Sequence, residues 1–87
     1  MTQAHELKTL APYWDAVDRG EKTFEVRRDD RGFQKGDVLR LYRTDDFNAI
    51  GWKTGRVIER RISYILTGGQ FGIEPGFVVL ALEPSHD

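Results

Sequence analysis

Polar and apolar residues alternate from His5 to Thr9, the period of a strand, and from Leu10 to Gly20 the spacing turns helical, with Tyr13, Trp14 and Val17 at helical intervals. Pro12 suits a first helical position, Asp15 a first turn and Gly20 the residue just past the end, so a short helix is expected with these aromatics packed on the core. Alternation returns from Thr23 to Arg28, with Phe24 and Val26 on one side and Thr23, Glu25 and Arg27 on the other. Turn chemistry in Asp29-Asp30-Arg31-Gly32 and Lys35-Gly36-Asp37 brackets Phe33. Val38 to Tyr42 reads as a strand and Arg43 to Thr54 as a polar loop. Gly55 to Leu66 alternates imperfectly, because Ile58, Ile62, Tyr64 and Leu66 fall in phase with Arg56 and Arg60; the conflict predicts a bulge or bend near Arg60-Arg61. After a loop from Thr67 to Gly76, Phe77 to Leu82 is apolar on both faces and should be a central strand. A strand, one early helix and four or so further strands make an α+β fold on a small, strongly bent sheet or barrel of about five to six strands.

The length of 87 residues allows one domain, 1–87, with a single compact core. There is no cysteine, and His5 and His86 are the two histidines, so disulfides, thiolate zinc, a cysteine nucleophile and a histidine metal cluster are excluded. No metal and no cofactor is expected. No apolar run approaches the roughly 18 residues of a membrane span, and the N-terminus lacks the basic start and apolar stretch of a signal peptide. The expectation is no membrane association and a cytoplasmic location.

Charge changes this picture in one respect. The formal net charge is -1, but residues 19–61 hold twelve Lys/Arg against eight Asp/Glu, while the first 18 residues stand at -2 and the last 26 at -3. A basic centre between acidic ends either folds into a patch that attracts phosphates or spreads over a solvated face of mixed charge. Within that centre, Gly20-Glu-Lys-Thr-Phe-Glu-Val-Arg27 is the most informative stretch. Gly20 ends the helix, Lys22 emerges at the junction, and Glu25 and Arg27 project to one side of a strand. An ionised Glu25 flanked by two cations leaves a surplus positive charge for a phosphate or a carbonyl, and Arg27 can bind bidentately. The same residues also suit an ordinary surface ion pair worth about 0–1 kcal/mol, and the pattern alone leaves both readings open.

Gly20-x-Lys22-x-x-Glu25-x-Arg27 resembles the G-x-K-x-x-E-x-R signature of the ASCH superfamily, small PUA-like β-barrels proposed to bind RNA. His5-x-Leu-Lys8, Lys35-Gly36-Asp37-Val-Leu, Thr54-Gly55-Arg56, Ile62-Ser-Tyr-Ile65 and Gly76-Phe-Val-Val-Leu-Ala-Leu82 extend the resemblance over residues 5–82, to a group of small uncharacterised bacterial and phage proteins. It implies a PUA-like barrel with a cleft between helix and sheet, floored by Lys22, Glu25 and Arg27. One branch, the bacterial acetylcytidine amidohydrolases, is similar over Gly20 to Leu41 and has a lysine where Lys22 stands. Its proposed threonine nucleophile aligns with Glu25, and its catalytic glutamate lies in a helical insertion that this chain lacks. A Thr–Lys mechanism is therefore not carried over; Thr23 is at best a substitute hydroxyl, and any hydrolysis would use Lys22 to polarise and Glu25 as general base.

Other residues carry weaker signals. His5 lies on the face opposite Lys8 in an ideal strand and is either solvated or an acid/base or hydrogen-bond donor in the cleft. Gly68 to Gly76 lacks the Lys-Ser/Thr ending of a phosphate loop and reads as a flexible turn, in which Phe71 either stacks on a base or packs back on the barrel. Phe47, Tyr42 and Trp52 near Arg40 to Lys53 are an aromatic and cationic mixture suited to single-stranded RNA, or else anchors of a long loop. The resulting expectation is a module binding RNA or a modified nucleoside or nucleotide through Lys8, Lys22, Glu25, Arg27, Arg28 and Phe71. A small amidohydrolase on an acylated nucleoside, with Lys22 and Glu25 catalytic, is the first alternative, and a phage or plasmid accessory protein with a protein partner the second.

Overall fold

The computed structural model describes residues 2–85; His86 lies outside them. In chain order the elements are β1 (Ala4–Leu10), α1 (Ala11–Asp18), β2 (Phe24–Arg28), β3 (Val38–Thr44), a 3-10 turn (Trp52–Thr54), β4 (Val57–Thr67) and β5 (Phe77–Pro84). The five strands form one sheet in the order β1-β3-β4-β5-β2, parallel between β1 and β3 and antiparallel elsewhere. β5 is central, between β4 and β2, as its two apolar faces require.

The sheet curls into a half-barrel. Its two outer strands, β1 and β2, approach closely enough that Arg27 Nη2 donates to the carbonyl of Lys8 at 2.5 Å and Arg31 Nη1 to that of Glu6 at 2.8 Å. Guanidinium groups thus occupy carbonyls on the free edge of β1 that a closed barrel would give to a neighbouring strand. The concave side holds the core of Leu7, Leu39, Leu41, Ile62, Val78 and Leu80, joined by Phe33 from the β2–β3 connection and by Trp14 and Val17 from α1. The indole Nε1 of Trp14 donates to the Leu41 carbonyl at 2.8 Å and fixes the helix on β3.

Two sequence expectations need correction. Tyr13 does not pack in the core: α1 buries Trp14 and Val17, and Tyr13 is 54% exposed. Asp15 lies beyond the first turn and pairs instead with Arg43, whose Nε and Nη2 reach its carboxylate at 2.9 and 3.2 Å. The irregularity expected in β4 near Arg60-Arg61 falls just past them, between Ile62 and Tyr64. Ile62 faces Leu82 and Ile65 faces Leu80, so one extra residue lets two isoleucines three apart both point inward. Arg60 keeps its inward phase by extending to the end of α1, where Nη2 lies 3.4 Å from the Val17 carbonyl.

Among the described residues no helix is long and apolar enough to cross a membrane.

Candidate functional site

The junction after α1 sets the site. Gly20 takes φ +80°, its N–H donates to Val17, and the N–H of Glu21 donates back to Ala16. This double bond pattern closes the helix and turns the chain sharply, and glycine is the residue that tolerates that φ. Lys22 is thereby carried over the start of β2. In the register with β5, Glu25 sits opposite Leu80 and Arg27 opposite Val78, both on the buried side. β2 is consequently inside out: Glu25 is 4% exposed, whereas Phe24 and Val26 are 44% and 52% exposed on the outer face.

A buried carboxylate is costly unless paired and hydrogen-bonded. Glu25 Oε1 accepts from Lys22 Nζ at 2.7 Å, and Oε2 accepts from Arg27 Nε at 3.1 Å. Lys22 Nζ also donates to the Phe24 carbonyl at 2.6 Å and stands 4.9 Å from the Phe24 ring centroid. Arg27 Nη2 adds the hydroxyl of Thr9 at 3.3 Å to its bond with Lys8. With both of its oxygens held by cations, Glu25 serves as the anchor that spaces an ammonium and a guanidinium, and that arrangement retains one net positive charge.

Beside this group opens a cavity of about 580 Å³, lined from β1 by Leu7, Lys8, Thr9 and Leu10, from α1 by Tyr13, and by Lys22 and Glu25 to Arg28. Asp30, Arg31 and Phe33 from the β2–β3 connection, Phe47 and Phe77 complete it. Five cationic side chains against two carboxylates leave a surplus of three positive charges in a molecule whose total is -1. Four of the walls are aromatic. The size falls within the range of small-ligand pockets, about 300–1,000 Å³.

Of the residues singled out from sequence, the structure brings together Lys8, Lys22, Glu25, Arg27, Arg28 and Phe47. Lys8 is tied by its Nζ to the Phe47 carbonyl at 2.8 Å and draws the β3–β4 loop over the β1 edge. Arg28 lies 4.7 Å over the Phe77 ring at the other end. Phe71 is apart: it does not line the cavity and is 83% exposed at the tip of the β4–β5 turn. Thr23 is also outside the lining. His5 is neither solvated nor in the cleft; it is buried with Nε2 2.8 Å from Asp37 Oδ2 and its ring edge-on to Phe33. Tyr42 and Trp52 pack against each other at 5.5 Å between centroids and anchor the loop. Next to them Glu6 takes the Lys53 ammonium at 2.8 Å and the Tyr42 hydroxyl at 2.9 Å, two bonds that hold its carboxyl below the usual range.

Thr9, Tyr13, Arg31, Phe33 and Phe77 were not among the sequence candidates. Thr9 was readable in principle, since it continues the His5, Leu7 alternation on the inner face. Arg31 carried no local signal, because a bend in an irregular connection aims it at β1.

The family described as "Domain of unknown function (DUF3850)" matches residues 4–82. The chain is also 40% identical over 63 residues to an uncharacterised 12.9 kDa protein encoded in the GpA 3′ region of Escherichia phage P2, covering 72% of this chain and 54% of that protein. The chain thus spans about half the length of that relative.

Proposed function

The chain belongs to the DUF3850 family, whose description specifies no activity, so the reading must come from the site, and we propose that this cavity binds one nucleotide unit, free or within single-stranded RNA. The observation that carries the reading is the inverted β2, which gives up the burial of Phe24 and Val26 to set Glu25, Lys22 and Arg27 on the floor of an open pocket. Arg27 offsets part of that loss by bonding the edge of β1, but among the described residues Lys22 and Glu25 bond only each other and neighbours on β2, and the cations they hold at the cavity suit an anionic, planar ligand. Lys22 and Arg27 meet phosphate or carbonyl oxygens, and Tyr13, Phe33, Phe47 and Phe77 supply apolar walls for a base. The finer fold assignment belongs to the same proposal. A PUA-like barrel of the ASCH type is supported by the half-barrel, the helix ending at Gly20 and the convergence of the three signature side chains.

Titration of adenosine 5′-monophosphate and short RNAs at low salt tests the reading. Lys22→Ala and Arg27→Ala are each expected to weaken binding by about tenfold to a hundredfold, the loss of one charge-assisted contact of roughly 1.5–3 kcal/mol. Absence of binding to wild type, or binding by both variants as tight as that of wild type, removes the proposal. Incubation with acetylcytidine separates binding from hydrolysis. Because Glu25 has both oxygens engaged by cations, retention of the acyl group is the expected result.

A further inference from the structure

The turn that joins β4 to β5 spends conformational energy on displaying one aromatic ring. Ile73 N–H donates to the Gln70 carbonyl at 2.9 Å and Gly69 N–H to Ile73 at 2.7 Å, so Phe71 and Gly72 are the two central residues of a tight hairpin turn. Both are left-handed, with φ of +53° and +76°. Asn, Asp and Gly are the residues that such a turn favours at its first central position, and phenylalanine is disfavoured there. Burial does not compensate, because the ring is 83% exposed, and among the described residues it makes no ring or cation contact. A side chain that is disfavoured by its backbone and left in water points to a partner outside the chain.

The turn is joined directly to one end of the cavity. Gly68 N–H donates to the Phe77 carbonyl and Asp29 N–H to the Gly76 carbonyl, both at 2.8 Å. Phe77 and Arg28, stacked at 4.7 Å, line the cavity at this end. Phe71 lies three residues beyond Gly68, at the tip of the turn that continues from this end of the cavity.

We propose that the cavity is one subsite of a longer track, that its ligand is a single-stranded polynucleotide instead of a free nucleotide, and that Phe71 stacks on the base neighbouring the one in the cavity. Arg28 then holds the intervening phosphate from its place over Phe77. This rests on the nucleotide reading of the cavity and specifies its substrate class.

The test compares adenosine 5′-monophosphate with a seven-nucleotide oligoadenylate RNA on wild type, Phe71→Ala, Phe71→Asn and Phe71→Trp. Wild type should bind the heptamer at least tenfold more tightly than the monophosphate. Phe71→Ala and Phe71→Asn should lose about tenfold for the heptamer, the effect of one base–aromatic stack, and stay within about twofold for the monophosphate. Phe71→Trp should restore the heptamer. Asparagine suits the left-handed position, so Phe71→Asn should melt at or above wild type, which separates lost stacking from a damaged turn. If the two ligands bind wild type equally, or Phe71→Ala and Phe71→Asn bind the heptamer as wild type does, the track is refuted while the cavity reading stands. If wild type binds neither, both fall.

Discussion

Among the described residues two side-chain carboxylates, of Asp37 and Glu25, are buried, and their partners separate their roles. Asp37, 1% exposed, accepts the N–H groups of Gln3 and Gln34, both at 3.0 Å, and His5 Nε2 at 2.8 Å. Its partners tie the residues before β1 to the turn before β3, and it does not line the cavity beside Glu25. Burial acts to raise its pKa, but the hydrogen bonds from His5, Gln3 and Gln34 outweigh it, and the carboxyl titrates below its ordinary range. An acid held lower in the folded state than in the unfolded one stabilises the fold above the unfolded value and loses that contribution as pH falls through the folded value. The midpoint of thermal unfolding should therefore drop as pH is lowered from about 5 to about 2, and Asp37→Asn should melt lower at neutral pH with a shallower acid decline. An acid decline as steep in Asp37→Asn as in wild type would assign it to other groups. Glu25 differs in kind, since its partners are two side-chain cations at a cavity wall instead of backbone groups. The first arrangement was unreadable from sequence, where His5 and Asp37 are 32 residues apart; the second was visible as the spacing of Lys22, Glu25 and Arg27.

At the scale of the element, β2 shows what alternation can and cannot say. It correctly separates Phe24 and Val26 from Glu25 and Arg27, but a period of two leaves open which set faces inward. Hydrophobicity by itself would bury the phenylalanine and valine. The opposite outcome is available because β5 is apolar on both faces and accepts either set, and because the turn at Gly20 delivers Lys22 to the inner side where Glu25 can be paired. Val26→Thr should accordingly change stability by no more than about 0.5 kcal/mol, as surface substitutions do, while Val78→Thr on the adjoining strand should cost about 1–3 kcal/mol by burying a hydroxyl. Chemical denaturation of the two variants measures the contrast, and equal losses would mean that β2 packs the other way round. In β4 the same kind of pattern gave the break and its neighbourhood, and it falls just past Arg60-Arg61 because Arg60 found a helix carbonyl to bond and removed the need for a bend at its own position.

For the whole molecule the decisive quantity is where charge collects. A total of -1 argues for no anionic partner, yet curling the sheet gathers a surplus of three positive charges around one cavity. RNA affinity should therefore fall with salt, with a slope of log K against log salt of about −2 if three phosphates are met, and Arg28→Ala should make it shallower by about 0.7. Titration between about 50 and 200 mM salt measures both; a flat dependence would leave the surplus without a role in binding.

The sequence by itself determined the elements, the α+β class, and the local unit of Gly20, Lys22, Glu25 and Arg27, because these depend on interactions between residues a few positions apart. Only the tertiary structure decided that β2 turns its charges inward, that Arg27 and Arg31 reach across to the edge of β1, that Tyr13, Phe33, Phe47 and Phe77 become walls of one cavity, and that Phe71 stands outside it. Those outcomes depend on which distant strands become neighbours when a sheet curls, and on the low dielectric of the interior, where an unpaired Glu25 would be too costly and a paired one holds two cations at a fixed spacing.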